Sequence, residues 1–387
     1  GLSADRLQQM AKTERDYLGR RDTYATGTRS GPGAPAPATV VAGGNIAAAV
    51  SYGDVTAAGV GTVTSVCRSR VVGFGHPMAF GGRTSLTLHP ADALLIQEDP
   101  LGVPFKVANI GEPAGTITDD RLTGITGGFG ALPETMTITS TVQSGSRERT
   151  GTTHVSVPSA GAQSTFSQHL ANHDRVVDGL MPGRSYLDYA ITGTDTDGSS
   201  FRIAFSDQYH SPYDITFDSG FDVADLVYGL TSIEGVTVDE VTMRAEVSPD
   251  KATYTVSALQ QRRSGKWVTL GKGRPAVVRA GTTLSIRAVL TGAAGRATTT
   301  YNFAVPKKYR GERGHLSVTG GNSFWSEAAF QPTVDKIAAA VRAQVRNDAT
   351  RAQLTVSGGR RGLTARLVGP AVDHVVNGET SIRVRVR

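Results

Sequence analysis

The run Val71-Val72-Gly73-Phe74-Gly75-His76-Pro77 carries the reading of this chain. With it go two segments downstream, Gly115-Thr116-Ile117-Thr118-Asp119-Asp120-Arg121 and Gly124-Ile125-Thr126-Gly127-Gly128-Phe129-Gly130. A short apolar run ends at a Gly-His-Pro turn, and two more strand-like runs follow with glycine at their ends. Short apolar stretches bounded by Gly and Pro read as strands and turns, not helices. The turn also fixes the direction of one imidazole, that of His76.

The pattern continues outward. Val60–Val66 and Arg70–Phe74 read as strands, as do Ser85–Leu88 and Ala93–Ile96. Met136–Val142 and Thr153–Val157 alternate, with Gly145 and Gly151 punctuating the hairpin between them. Many short strands with Gly turns over 39–158 predict a barrel or sandwich. Residues 159–235 read as a connecting α+β region that can belong to the same domain. It holds a short helix at Phe166–Asn172 and a hairpin from Tyr186–Thr192 to Ser200–Phe205 across Thr194-Asp195-Thr196-Asp197-Gly198. Asp195-x-Asp197-Gly198 resembles half of a calcium loop. Without a third ligand and a distal Glu it reads as an Asp-Gly turn. Val223, Leu226, Val227 and Leu230 then fall at i, i+3, i+4 and i+7, the stripe of an amphipathic helix capped by Asp218 or Ser219.

Residues 236–320 read as an immunoglobulin-like β-sandwich. Its strands are Thr237–Val247, Thr253–Leu259, Trp267–Leu270, Leu284–Leu290, Thr298–Val305 and Leu316–Val318. Trp267 reads as a core or edge anchor. Residues 321–387 predict a helix capped by Thr333, with Val334, Ile337, Ala338, Val341 and Val345 on one face. The strands Ala352–Val356, Leu363–Leu367 and Thr380–Val386 follow, the last in strict alternation with Arg on one side. At the other end, residues 1–38 predict a helix over 2–22 and a Pro/Gly linker over 26–38.

At 387 residues the chain exceeds one ordinary core. Aromatics are 6% and charged residues 19%, with 46 Gly, a β-rich and turn-rich profile that excludes wholesale disorder. The net charge is +6, but the basic residues are scattered among nearly as many acids. The densest clusters, Arg360-Arg361, Arg262-Arg263 and Lys307-Lys308-Tyr309-Arg310, extend into no long basic run. This excludes a specific nucleic-acid interface and leaves a weak attraction to an anionic cell surface. The single cysteine, Cys67, rules out an intrachain disulfide and reads as a small buried apolar residue. No run of apolar residues is long enough for a transmembrane helix. The chain opens at Gly1 without a signal-peptide pattern, as a mature or trimmed form would.

The segment from about Val41 to Gly130 resembles the SpoIVB-type S55 peptidase family. The matching pieces are Gly53-Asp54, Gly61-Thr62-Val63-Thr64, the Gly75-His76 pair and the Gly115-to-Gly130 segment. The resemblance implies a chymotrypsin-like or related β-barrel and an exported protein, extracellular or in the cell envelope. It also implies a protein or peptide substrate, and His76 as general base of a serine peptidase. The family's nucleophile motif, Gly-Met-Ser-Gly-Ser-Pro, has no counterpart here. Ser144-Gly145-Ser146 is the nearest fragment, and Asp218-Ser219-Gly220 runs straight into the predicted helix.

Two readings follow. In one, the chain is a serine endopeptidase with His76 as base and Asp119 or Asp120 as orienter. Gly127-Gly128 then offer backbone N–H donors, and the nucleophile is unassigned. In the other it is a catalytically silent S55-like scaffold fused to β modules, acting as an extracellular binding or assembly protein. The Asp pair then bridges to Arg121, and Gly127-Gly128 only permit a tight turn. His169 and His173 read as surface residues, and His89, His154, His210, His315 and His374 as isolated ones. No phosphate-cradling loop, nicotinamide fingerprint or metal-ligand cluster is evident, so no cofactor and no metal are expected.

Overall fold

The strands around His76 close on one another. The computed structural model describes residues 33–99, 104–358 and 362–387. The helix expected over 2–22, most of the linker and the Arg360-Arg361 pair lie outside these. The first nine strands are β1 (Asn45–Gly53), β2 (Ala57–Cys67), β3 (Arg70–Gly73), β4 (Gly82–Gln97), β5 (Phe105–Ile110), β6 (Gly115–Arg121), β7 (Gly124–Phe129), β8 (Met136–Ser144) and β9 (Arg147–Val155). The path β1-β2-β3-β7-β6-β4 returns to β1 through antiparallel pairings only. The result is a closed six-stranded barrel, which leaves no open edge within its ring. Ile46, Val63, Val71, Leu88, Ile117 and Ile125 fill it and are almost fully buried. Ser85–Leu88 and Ala93–Ile96, predicted as separate strands, lie on the single strand β4. It pairs with β6 and β1 over Gly82–Ala91 and with β5 from Ala91 on, with a register shift against β5 between Ala93 and Leu95.

Beyond the barrel the same sheet runs on. The next elements are α1 (Gly161–Val177), β10 (Gly183–Thr194), β11 (Ser200–Ser211), α2 (Ile215–Thr231) and β12 (Thr237–Ser248). The order β11-β10-β12-β8-β9 joins the barrel where β9 pairs with β1. The strand expected to open the sandwich, Thr237–Val247, forms as β12 but lies between β10 and β8, parallel to β8. A parallel neighbour needs a long crossover, and the hairpin and helices between β8 and β12 supply it. α1 and α2 pack against this part of the sheet, with Val223, Leu226, Val227 and Leu230 buried as their spacing implies. The cap of α2 differs from expectation. Asp214 accepts from the Thr216 N–H, so Asp218 and Ser219 are helical. An Asp side chain one turn earlier, after the Ser-Pro-Tyr turn, reaches the free N–H first.

The remaining strands are β13 (Tyr254–Arg263), β14 (Lys266–Thr269), β15 (Ala276–Val278), β16 (Thr282–Gly292), β17 (Gly295–Val305), β18 (Arg313–Gly320), β19 (Thr350–Val356), β20 (Leu363–Val368), β21 (Val376–Asn377) and β22 (Glu379–Val386). They form two five-stranded sheets that share one core. In β22, Ile382, Val384 and Val386 are buried and the arginines between them exposed, as the alternation predicts. Trp267 on β14 is half-buried beneath the Arg287 guanidinium, 4.6 Å from the ring centroid. The helix α3 (Val334–Ala343), capped by Thr333 as expected, packs into the core of the α/β layer. Residues 321–387 therefore feed two different cores. With 53% strand and 17% helix the protein is mainly β. Among the described residues, no helix is long and apolar enough to cross a membrane.

Candidate functional site

His76 sits where the sequence puts it, on the turn that leaves β3. Gly75 takes a left-handed φ of 77°, which glycine adopts without strain. Phe74, at φ 73°, lays its ring over β2, so that a Cβ on Gly61 would lie 2.2 Å from it. Two of the family-like pieces, Gly61 and Gly75, thus exist to seat this turn. The His76 imidazole is exposed, and its Nδ1–H donates to the Pro77 carbonyl at 2.8 Å. Among the described residues no hydroxyl or thiol is hydrogen-bonded to it.

The groups nominated to assist His76 are engaged elsewhere. Asp120 is buried and accepts the backbone N–H of Met78 at 2.8 Å, Ala79 at 2.7 Å and Gly81 at 3.3 Å. Burial works to raise its carboxyl, but these N–H groups outweigh it and hold it below the usual range. Asp120 therefore ties down the loop after His76 and does not orient the ring. Asp119 pairs with Arg121 at 3.0 Å on the surface. Gly127 and Gly128 lie within β7, and a Cβ on Gly127 would meet the Thr116 carbonyl oxygen at 2.2 Å. Close strand approach, not a turn or an anion cradle, excludes a side chain there. Cys67, expected to be buried, is exposed at the tip of the β2–β3 hairpin, because the apolar positions of that hairpin end before it.

A serine does meet a histidine, inside the α/β layer. His169 Nε2 lies 2.9 Å from Ser219 Oγ, and the His173 ring centroid lies 4.2 Å from that of His169. All three side chains are fully buried between α1 and α2. The surface placement expected for His169 and His173 is thus overturned: they occupy the inner face of α1. Ser219 Oγ also donates to the Ile215 carbonyl one turn back, at 3.0 Å. With its proton there, it accepts from the His169 Nε2–H. That is the reverse of nucleophile activation.

Hollows open at several places on the described residues, and two of them take in the histidines and the acids. The first lies at the barrel's join with the layer, where Tyr52 stands between two histidines that sequence spacing left isolated. Ring centroids lie 5.3 Å apart to His89 and 5.1 Å to His154. Burial holds both histidines below their ordinary pKa. His89 Nδ1–H donates to the Gly111 carbonyl at 2.9 Å, and Nε2 is a buried lone pair without a hydrogen-bond partner among the described residues. Beside it Arg149 grips Asp54 with bonds of 2.7 and 2.9 Å and is itself held by Asn172. Burial raises the Asp54 carboxyl, and the Arg149 bonds and charge more than reverse this. Asp54 belongs to the Gly53-Asp54 piece, but nothing in the sequence named Arg149 as its partner.

The second hollow lies between α2 and the segment that precedes α3. Asp218, Phe221, Asp222 and Asp225 line it at i, i+3, i+4 and i+7. In the sequence that spacing lies beside the apolar stripe of the same helix. Tyr209 donates to Asp222 at 2.7 Å. Burial raises the carboxyls of both Asp222 and Asp225. Asp207, on β11, is pushed by burial to about 8 against the backbone N–H groups of Asn347 and Gln208. Asp195 and Asp197 each accept a backbone N–H within their own turn, of Thr196 and Ser199. Among the described residues, no three His, Cys, Asp or Glu side chains are grouped to hold a metal.

No known family, curated protein or solved structure matches this chain.

Proposed function

We propose that the chain is an exported S55-like scaffold without peptidase activity, which works outside the cell or in its envelope as a binding or assembly protein. In this reading the barrel is the chymotrypsin-related one of that family, and the two-sheet module is immunoglobulin-like. The observation that carries it is the surroundings of His76. Acyl transfer needs a hydroxyl or thiol within hydrogen-bond reach of the base and a carboxylate to orient the base. The His76 N–H is satisfied by the neighbouring carbonyl, and the nearby buried carboxylate holds backbone amides. The Gly-rich pieces that carry the resemblance pack the barrel and seat the turn. They serve architecture without chemistry. Partners are proteins or peptides, with a weak surface attraction from the net positive charge.

The test is hydrolysis of an unfolded protein such as casein by wild type and His76→Ala. Equal, background-level cleavage is expected. Cleavage by wild type that disappears in His76→Ala would restore the peptidase reading.

A further inference from the structure

The hollow at the join of barrel and layer is a cavity of about 520 Å³, within the range of small-ligand sites. His89 on β4 lines it, with Asn109 near the end of β5, Glu112 in the turn that follows and Arg175 in the last turn of α1. Its charged groups are Asp54, Glu112, Arg149 and Arg175, two carboxylates against two guanidiniums. Burial keeps His89 and His154 neutral at pH 7. The Asp54–Arg149 pair is closed on itself at 2.7 Å. Glu112 and Arg175 are exposed and, among the described residues, stand in no salt bridge. The lining therefore has no net charge to select a cation or an anion. It offers hydrogen-bond donors and acceptors side by side instead.

One of the acceptors is buried without a donor. His89 is 2% exposed and lines the cavity. Its Nδ1–H donates to the Gly111 carbonyl, which can only accept, so Nε2 carries a lone pair across the ring from that bond. Nε2 has no hydrogen-bond partner among the described residues. Tyr52, with ring centroids 5.3 Å apart, does not serve it, because its hydroxyl is engaged with Thr135. A buried polar atom is costly to leave unpaired. A ligand hydroxyl supplies the donor without needing a negative wall, and its own oxygen accepts from a neighbouring guanidinium or amide.

We propose that this cavity binds a neutral sugar, either free or as the end of a glycan chain. One sugar hydroxyl donates to His89 Nε2. Others donate to the Glu112 carboxylate and accept from the Arg175 guanidinium and the Asn109 amide. Ile110 and Pro113, also on the cavity wall, give the C–H face of a sugar ring an apolar contact. Hydroxyls that both donate and accept suit this mixed, charge-balanced lining. The site stands apart from the reading of His76, and neither fails with the other.

The test uses the full chain with nitrogen-15 in its histidines. A long-range proton–nitrogen spectrum reads each imidazole nitrogen, and His89→Gln assigns the His89 signals. Glucose, N-acetylglucosamine, maltohexaose and chitohexaose are titrated separately, with glycylglycine as a zwitterionic ligand. A saturable upfield shift of His89 Nε2 is expected, as its lone pair accepts a hydroxyl. The shift with a single sugar assigns a free sugar, and with a hexamer alone the end of a glycan. Glu112→Gln and Arg175→Gln alter exposed side chains and should leave the circular dichroism spectrum unchanged, yet each should weaken binding about fivefold or more. No saturable shift at His89 with any of these sugars overturns the proposal. So does a shift with glycylglycine alone, or unchanged affinity in both variants.

Discussion

At the scale of single residues, Asp120 and His76 divide structure from chemistry. Three N–H groups converge on the buried Asp120 carboxylate, whereas His76 is exposed. Hydrogen bonds to a charged acceptor contribute roughly 1.5–3 kcal/mol each at most, and some of these donors regain water on its removal. Asp120→Ala should lose ~2–3 kcal/mol in urea denaturation, Asp120→Asn less, and His76→Ala no more than about 0.5 kcal/mol. Equal losses for Asp120→Ala and His76→Ala would show that the imidazole holds the loop. Asp207 tests burial directly. Its carboxyl is raised to about 8 in the fold and titrates near 3.9 in an unfolded chain. Its contribution is therefore fully present below the unfolded value and is lost as pH rises toward the folded one. Each pH unit in that window is worth about 1.4 kcal/mol at most. Between pH 5 and 8 wild type should lose ~1–3 kcal/mol relative to Asp207→Asn; parallel curves would mean that Asp207 is ionised in the fold. His76 and its turn were legible because Gly and Pro mark a turn locally. The role of Asp120 was not, since the amides it holds lie some forty positions earlier in the chain.

Elements were legible wherever their period survived. β22 and the stripe of α2 formed as their spacing implies, because one face meets a core and the other water. α1 was foreshortened to Phe166–Asn172 for the opposite reason. Its buried face carries Gln168, His169, Asn172, His173 and Asp174, polar groups that no apolar pattern reveals. Tertiary partners, not hydropathy, satisfy it: Asn172 donates to the Ser140 carbonyl at 2.7 Å and Gln168 accepts from Thr153 at 2.5 Å. In the barrel, close approach of β6 and β7 dictates glycine. A methyl at Gly127 would push on a backbone oxygen that cannot turn aside, while one at Gly128 would lie 3.2 Å from the Ser69 carbonyl oxygen. Overpacking costs roughly 1–3 kcal/mol, more where nothing can yield. Gly127→Ala should lower thermal stability by ~3 kcal/mol and clearly more than Gly128→Ala. A similar small effect for both would contradict the tight β6–β7 packing.

At the scale of the whole molecule, barrel and α/β layer share one sheet of twelve strands, while the two-sheet module has its own core. The β-rich character was legible in the sequence, whereas β12 crosses into the layer and α3 returns to it, exchanges that depend on strand order and carry no local signal. Leu187 and Leu354 are fully buried in the two different cores. Leu→Ala at such sites costs about 2–5 kcal/mol. Leu354→Ala should lower the amide-exchange protection of the two-sheet module far more than that of the α/β layer, and Leu187→Ala the reverse. Uniform loss across the chain in both variants would mean that the cores unfold as one. The claim on which the functional account turns is that His76 activates no nucleophile. A fluorophosphonate probe with wild type and His76→Ala, followed by mapping of any adduct, tests it most directly. Folded wild type should remain unlabelled. A serine adduct that forms in wild type and is lost in His76→Ala would contradict the account and name the nucleophile.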